Sequence, residues 1–244
     1  MRIAERFAAA YAGAGSGELA GPELLPVRMA TACAQVLSVA GVGISMFGAS
    51  DLRIPIGASD EDAAVAERLQ FTTGEGPCLD AHELSLSVLA TESLIEQRWP
   101  EFHFGLVTRT PFRAITALPL PFDLKDAGTV DLMFHSSADM AKLNITDADA
   151  VVGEVERILR TDSTVEFSLL GPGPAWLSSP SANSRNAVFV AMGFLNIALE
   201  VSTSDALALL RGRAYAAGRT VDDIARDIIE RRLPIDALRV DTDE

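Results

Sequence analysis

The sequence predicts an α+β chain: an antiparallel sheet flanked by helices, followed by an all-α unit of three helices. Three observations carry this. Over residues 1–162, helix-period stripes mix with short strand-like runs, without the regular alternation of a doubly wound parallel sheet. Between Leu170 and Ala182, Gly171-Pro-Gly-Pro and Ser178-Ser-Pro-Ser-Ala read as a linker. Beyond it, Ser202–Leu233 holds two helix start signals and two apolar stripes. The expected divisions are an N-terminal helix and connection (1–25), a sheet domain (26–162), a linker (163–182), a helical unit (183–234) and an acidic tail (235–244).

In chain order, Ile3, Ala4, Phe7, Ala8 and Tyr11 form the stripe of a short helix, and Ala12–Gly21 is a Gly/Ala/Ser-rich connection. Glu5 and Arg6 interrupt the apolar run, so this is an amphipathic helix and not a signal peptide. Pro26–Leu37 reads as a helix. Val42–Phe47 and Leu52–Ile56 read as strands around a turn at Gly48–Asp51, the second near an edge because of Pro55. Glu61–Phe71 is helical, with Ala63, Ala64, Ala66 and Leu69 available for packing. Leu86–Ala90 is a short apolar run. Ser93–Gln97 and Glu101–Thr108 are helical around Trp99-Pro100. Ala114–Leu120 and Thr129–His135 are buried strands. Thr146–Arg160 is a long helix with Ala148, Val151, Val152, Val155 and Leu159 inward.

In the C-terminal unit, Ser202 precedes Asp205 by three residues and Thr220 precedes Asp223 likewise. Each hydroxyl can accept a bond from an orphan backbone N–H, and each acid sits where the helix dipole favours it. Gly218 is placed to end the first helix in a left-handed residue, and Pro234 stops the second. Ala206, Leu207, Leu210 and Ala214 line one stripe. Val221, Ile224, Ala225 and Ile228 line the other. Neither can be buried alone, so the apolar segment Ala187–Leu199 supplies a third helix, with Gly193 allowing close approach.

These residues resemble the ANTAR domain, a three-helix RNA-binding module of bacterial transcription antiterminators. The marks are Ala191-x-Gly193, Val201-Ser-Thr-Ser-Asp-Ala206, Leu210-Arg211-x-x-Ala214, Gly218-Arg219 and Ile224-Ala225. Val188-Phe189-Val190 departs from relatives, which often carry more polar residues there. The resemblance implies binding to hairpin loops in nascent RNA and a homodimer that reads paired hairpins. Arg211 and Tyr215, four apart on one helix, and Arg219 just beyond its end are the expected centre of contact, with Tyr215 stacking on a base. Arg213 and Arg226 are further phosphate contacts, and Arg231 and Arg232 extend the patch. The other reading is a dimerisation or docking bundle. Its arginines would pair with Asp222, Asp223, Asp227 and Glu230, whereas an RNA reader keeps some free.

Upstream, Gly74-Glu-Gly-Pro-Cys78, Trp99-Pro100-x-Phe102 and Ala117-Leu-Pro-Leu120 resemble a GAF domain of actinobacterial regulators, over roughly Pro26–Arg160. GAF domains are sensor modules, a curved antiparallel sheet with flanking helices and often a ligand pocket. The expected pocket lies around Leu86–Phe104; the alternative is a domain packed shut. The N-K-x-x-F-D-E signature of cyclic-nucleotide binders is missing, so the ligand and any cofactor are unassigned. Cys78 is a candidate sensor thiol, against the plainer reading of a small packing residue.

Composition sets the remaining bounds. The formal charge of −14 argues against indiscriminate nucleic-acid coating. Yet Asn183–Leu233 holds seven Arg against six Asp or Glu, and the remainder thirteen Lys or Arg against twenty-eight acids. Two cysteines cannot make a disulfide framework, and no apolar run is long enough to span a bilayer, so a cytoplasmic protein is expected. Some GAF domains reduce free methionine sulfoxide with several cysteines, but Cys33 falls in a helix and cannot resolve Cys78. With no nucleophile elbow, no phosphate-binding glycine loop and no metal-ligand spacing, neither an enzyme nor a metal site is expected.

Overall fold

A computed structural model describes residues 2–15, 17–47, 53–121, 127–163 and 174–239. Five strands form one antiparallel sheet in the order β2-β1-β5-β4-β3. They are β1 (Gly41–Phe47), β2 (Arg53–Ala58), β3 (Val88–Ala90), β4 (Ala114–Pro119) and β5 (Gly128–Phe134). The order places β2 and β3 at the edges, the position expected for the strand that carries Pro55. A bulge between Ile44 and Ser45 shifts the β1–β2 register past Ile56.

The side-chain period of two divides each strand between two cores. Val42 and Ile44 of β1 join Val130, Leu132 and Phe134 of β5 on one face. That face is covered by α1 (Ile3–Ala14), α2 (Leu25–Leu37) and α8 (Ile145–Ser163). Phe7 is fully buried there, with Ile3 and Tyr11 packed against the same core. The N-terminal helix therefore docks its stripe on its own domain. On the opposite face, Ile115 and Met133 meet α3 (Glu61–Thr73), α5 (Glu92–Arg98) and α6 (Pro100–Arg109) through Ala63, Ala66, Leu69, Trp99, Phe102 and Leu106. Two further helices, α4 (Pro77–Leu84) and α7 (Ser137–Met140), complete this half.

The fold is the antiparallel sheet flanked by helices that the sequence led us to expect, followed by three helices. These are α9 (Pro180–Leu199), α10 (Thr203–Ala217) and α11 (Val221–Ile229). Both anticipated stripes are buried, against Val188, Ala191, Met192 and Leu195 of α9. The caps form as read. Ser202 Oγ accepts the Asp205 N–H at 3.2 Å, Thr220 and Asp223 make a reciprocal capping box, and Gly218 takes φ +61°.

Several local readings change. Ser178–Ala182 is not linker but a cap and first turn: Ser179 Oγ accepts the Ala182 N–H at 3.1 Å, and α9 starts at Pro180. Cys78 sits in α4, directly after the glycine turn, and not in a loop. Residues 164–173 of the proposed linker, the turn at 48–51 with Leu52 after it, and the last five residues of the acidic tail lie outside the described residues. Among those described, no single helix is long and apolar enough to cross a membrane.

Candidate functional site

The second face of the sheet carries a polar cluster where its apolar core ends. Period two places Ser45, Thr129 and Asp131 on this face, and Glu67 and Gln70, one turn apart on α3, reach down to meet them. Arg53 enters from the edge strand. Its Nη2 pairs with Glu67 and lies 3.6 Å from Asp131 Oδ2, and its Nη1 donates to the Glu67 carbonyl at 2.8 Å. Ser45 Oγ donates to Glu67 Oε2 at 2.6 Å, and Gln70 Nε2 donates to Asp131 Oδ2 at 2.6 Å. Gln70 Oε1 accepts the Cys78 N–H at 2.9 Å, and Cys78 Sγ lies 2.9 Å from Thr129 Oγ1. Gly43 makes room: a Cβ there would collide with the Glu67 carboxylate.

All of these side chains are buried. Burial, and then the nearby Glu67, raises the Asp131 carboxyl well above the ordinary carboxylate range. Burial opposes the charge of Arg53, but the surrounding Cys78, Glu67 and Asp131 outweigh it and hold the guanidinium firmly protonated. Burial also pushes the Cys78 thiol well up. It is therefore held protonated and away from solvent, the opposite of what a reactive thiol needs. Cys33 is likewise buried and protonated. Within Leu86–Phe104, Ile95, Trp99 and Phe102 are packed in the core, while Leu86, Leu89 and Phe104 face solvent.

Helix α3 also forms the seam with the helical unit. Its Phe71 belongs to the core of α9–α11. Thr72 Oγ1 accepts the Val221 N–H at 3.1 Å, one of the orphan donors at the start of α11. Ser179 Oγ donates to the Ile56 carbonyl at 3.1 Å, tying α9 to β2. Arg185, which no sequence signal distinguished, is fully buried at the centre of the seam. Its guanidinium lies 3.2 Å from the Phe71 ring centroid, in a cation–π contact, and 3.5 Å from Asp222 Oδ2. Burial lowers its pKa to about 10, with Asp222 opposing that shift.

Some of the expected RNA contacts have partners within the chain. Arg211 turns into the seam, where its Nε donates to the Phe71 carbonyl at 3.1 Å and its guanidinium lies 5.4 Å from the Phe71 ring centroid. Partial burial lowers its pKa. Tyr215, one turn on, is 72% exposed. Arg219 pairs with Asp227 at 2.5 Å and Arg226 with Asp223 at 3.2 Å. Arg232 pairs with Asp227 and Glu230. Arg213 and Arg231 are exposed and make no ion pair among the described residues. Also among the described residues, no group of three or more His, Cys, Asp or Glu is placed to hold a metal ion.

No protein-family model matches this chain, and no curated protein matches its sequence. Among solved structures it is similar to the GAF domain of an Acinetobacter phosphoenolpyruvate-protein phosphotransferase. The two share 9% identity at a TM-score of 0.47, over 67% of this chain and 94% of that one. It is also similar to the GAF domain of a phosphoenolpyruvate-protein phosphotransferase from Coxiella burnetii. There the identity is 8% and the TM-score 0.45, over 66% of this chain and 92% of that one.

Proposed function

We propose that the chain is a transcription antitermination regulator in which a GAF-type sensor half controls an ANTAR-type unit that binds hairpin loops in nascent RNA. The observation that carries this reading is Tyr215. It is 72% exposed on α10, two residues from Arg213, which has no acid partner among the described residues. An exposed ring suits an RNA loop, whose unstacked bases can stack on it, and the Arg213 guanidinium on another side of the same helix is left for phosphate. Helix α3 supplies the route of control. Its Glu67 and Gln70 hold the polar cluster of the sheet, and its Phe71 and Thr72 hold Arg211 and the start of α11. The protein acts in the cytoplasm, as a homodimer, with no catalytic role of its own.

Binding of hairpin RNA at low salt, followed by fluorescence anisotropy, tests the proposal. Tyr215→Ala should weaken binding by about 1–3 kcal/mol through lost stacking. Arg213→Ala should weaken it and make its salt dependence shallower by about one phosphate contact. If no hairpin binds, or if both variants bind like wild type, the reading is wrong.

A second reading has its own support. The pairing of Arg219, Arg226 and Arg232 with Asp227, Asp223 and Glu230 is what a protein-docking or dimerisation bundle would carry. In that case the three helices bind another protein surface, and hairpin RNA fails to bind even at low salt.

A further inference from the structure

The geometry points to a binding site for a small oxyanion-bearing metabolite, a phosphate ester or carboxylate, in the cleft between the sheet domain and the helical unit. The cleft has a volume of about 380 Å³ and is walled by Arg68 of α3, Arg109 at the end of α6 and Arg226 of α11. Ser184 of α9 and Thr220 also line it, their hydroxyls donating to Asp222 and Asp223. A second cleft of about 290 Å³ shares Arg68, Ser184 and Arg226, so the two form one groove. Its size is at the lower end of the roughly 300–1,000 Å³ typical of small-molecule sites.

Three arginines converging from three helices are unexpected in a chain of net charge −14. The acids beside them are largely committed. Asp222 accepts from Ser184 Oγ at 3.1 Å and faces the buried Arg185 at 3.5 Å. Asp223 caps α11, accepting from Thr220 N–H at 3.3 Å and Thr220 Oγ1 at 2.8 Å. Among the described residues Arg226 is held by Asp223 alone, in a half-exposed pair, and Arg68 by Glu61 alone, which is 80% exposed. Pairs of this kind are weak enough for an incoming oxyanion to compete. Arg109 is exposed, and its guanidinium has no hydrogen bond or ion pair among the described residues. Guanidinium forks match phosphate and carboxylate oxygens in bidentate geometry. Arg68 and Arg109 belong to the sheet domain and Arg226 to the helical unit, so a bound oxyanion bridges the two. The site is independent of the RNA reading, because it is defined and tested without RNA.

The test is calorimetry and thermal unfolding of the full chain at low salt with inorganic phosphate, a sugar monophosphate and citrate. Binding accompanied by a rise in Tm is expected for at least one of them. A preference for the sugar phosphate assigns a phosphate ester, and a preference for citrate assigns a carboxylate; either supports the site. Arg109→Ala and Arg226→Ala should each weaken binding about tenfold or more, the loss expected for one charge-assisted hydrogen bond. Arg109→Ala should leave the ligand-free Tm unchanged, which separates lost contact from misfolding. Arg98→Ala, at the remote Asp80 pair, should bind like wild type. The inference is overturned if none of the three probes binds at about 10 mM, a concentration marking sub-millimolar-class sites as absent. It is equally overturned if Arg109→Ala and Arg226→Ala both bind as tightly as wild type.

Discussion

Asp131 shows how burial turns a single residue into a pH-dependent contribution to stability. Its carboxyl is raised by burial and by Glu67, so the folded state holds its proton more tightly than the unfolded chain does. The resulting stabilisation is complete below the unfolded pKa of about 3.9 and is lost as pH rises through the folded value. Urea unfolding of wild type and Asp131→Asn should therefore show a stability difference that shifts against wild type as pH rises above about 4. A difference independent of pH would refute this assignment. Cys78 gives a second expectation at the same scale. Both thiols are buried and held protonated, so a thiol reagent should label neither in the native protein and both after unfolding. Fast native labelling of Cys78 would restore it as a sensor thiol.

At the scale of elements, α3 has two surfaces with different work. Its inner residues Glu67 and Gln70 join the sheet's polar cluster, and its last turn receives the helical unit. Thr72 is the simplest probe of that joint, because its hydroxyl satisfies the buried Val221 N–H. Thr72→Val keeps the shape and strands the donor, which should cost about 1–3 kcal/mol. Hydrogen exchange should show α11 losing protection before β5 does; equal loss in both would mean that the joint does not couple the two units locally. Arg211 belongs to the same joint. Arg211→Ala removes its bond to the Phe71 carbonyl, so an effect on RNA binding must be compared with the Thr72→Val effect before it is assigned to lost RNA contact.

Among the described residues three apolar cores pack around the sheet and the helical unit, and α9 keeps an apolar stripe outside. Val190, Phe194 and Ile197, at helical spacing on α9, are 47%, 43% and 82% exposed. If the chain is the homodimer proposed above, this stripe is the surface to test first, since exposed apolar patches mark interfaces and a twofold axis brings the same patch together. Light scattering at micromolar concentration should give a dimer for wild type and a monomer for Ile197→Glu. A wild-type monomer with and without RNA removes the dimer.

Much of this organisation was legible in the residues alone. The caps at Ser202 and Thr220, the left-handed Gly218 and both helical stripes are local, set by hydrogen bonds and periodicities within a few residues, and they form where read. Strands β1, β2, β4 and β5 follow for the same reason, while β3 reads in sequence only as a short apolar run. The tight Gly74–Cys78 segment hid a helix start, because a glycine turn and the proline at the first helical position look alike in sequence. Ser178–Ala182 hid a cap for the same reason: serine and proline mark both linkers and helix starts. The site was less legible. Arg53, Glu67, Gln70 and Asp131 are far apart in the chain, and only sheet pairing and the docking of α3 bring them together. Arg211 reads as a surface cation by its spacing, yet the Phe71 carbonyl 140 residues upstream takes its Nε–H. Arg185 carried no signal, because what makes it notable is burial against Phe71 and Asp222. Local chemistry determined the elements; which charges are buried, paired or free was decided by packing between elements distant in sequence, where desolvation outweighs local preference.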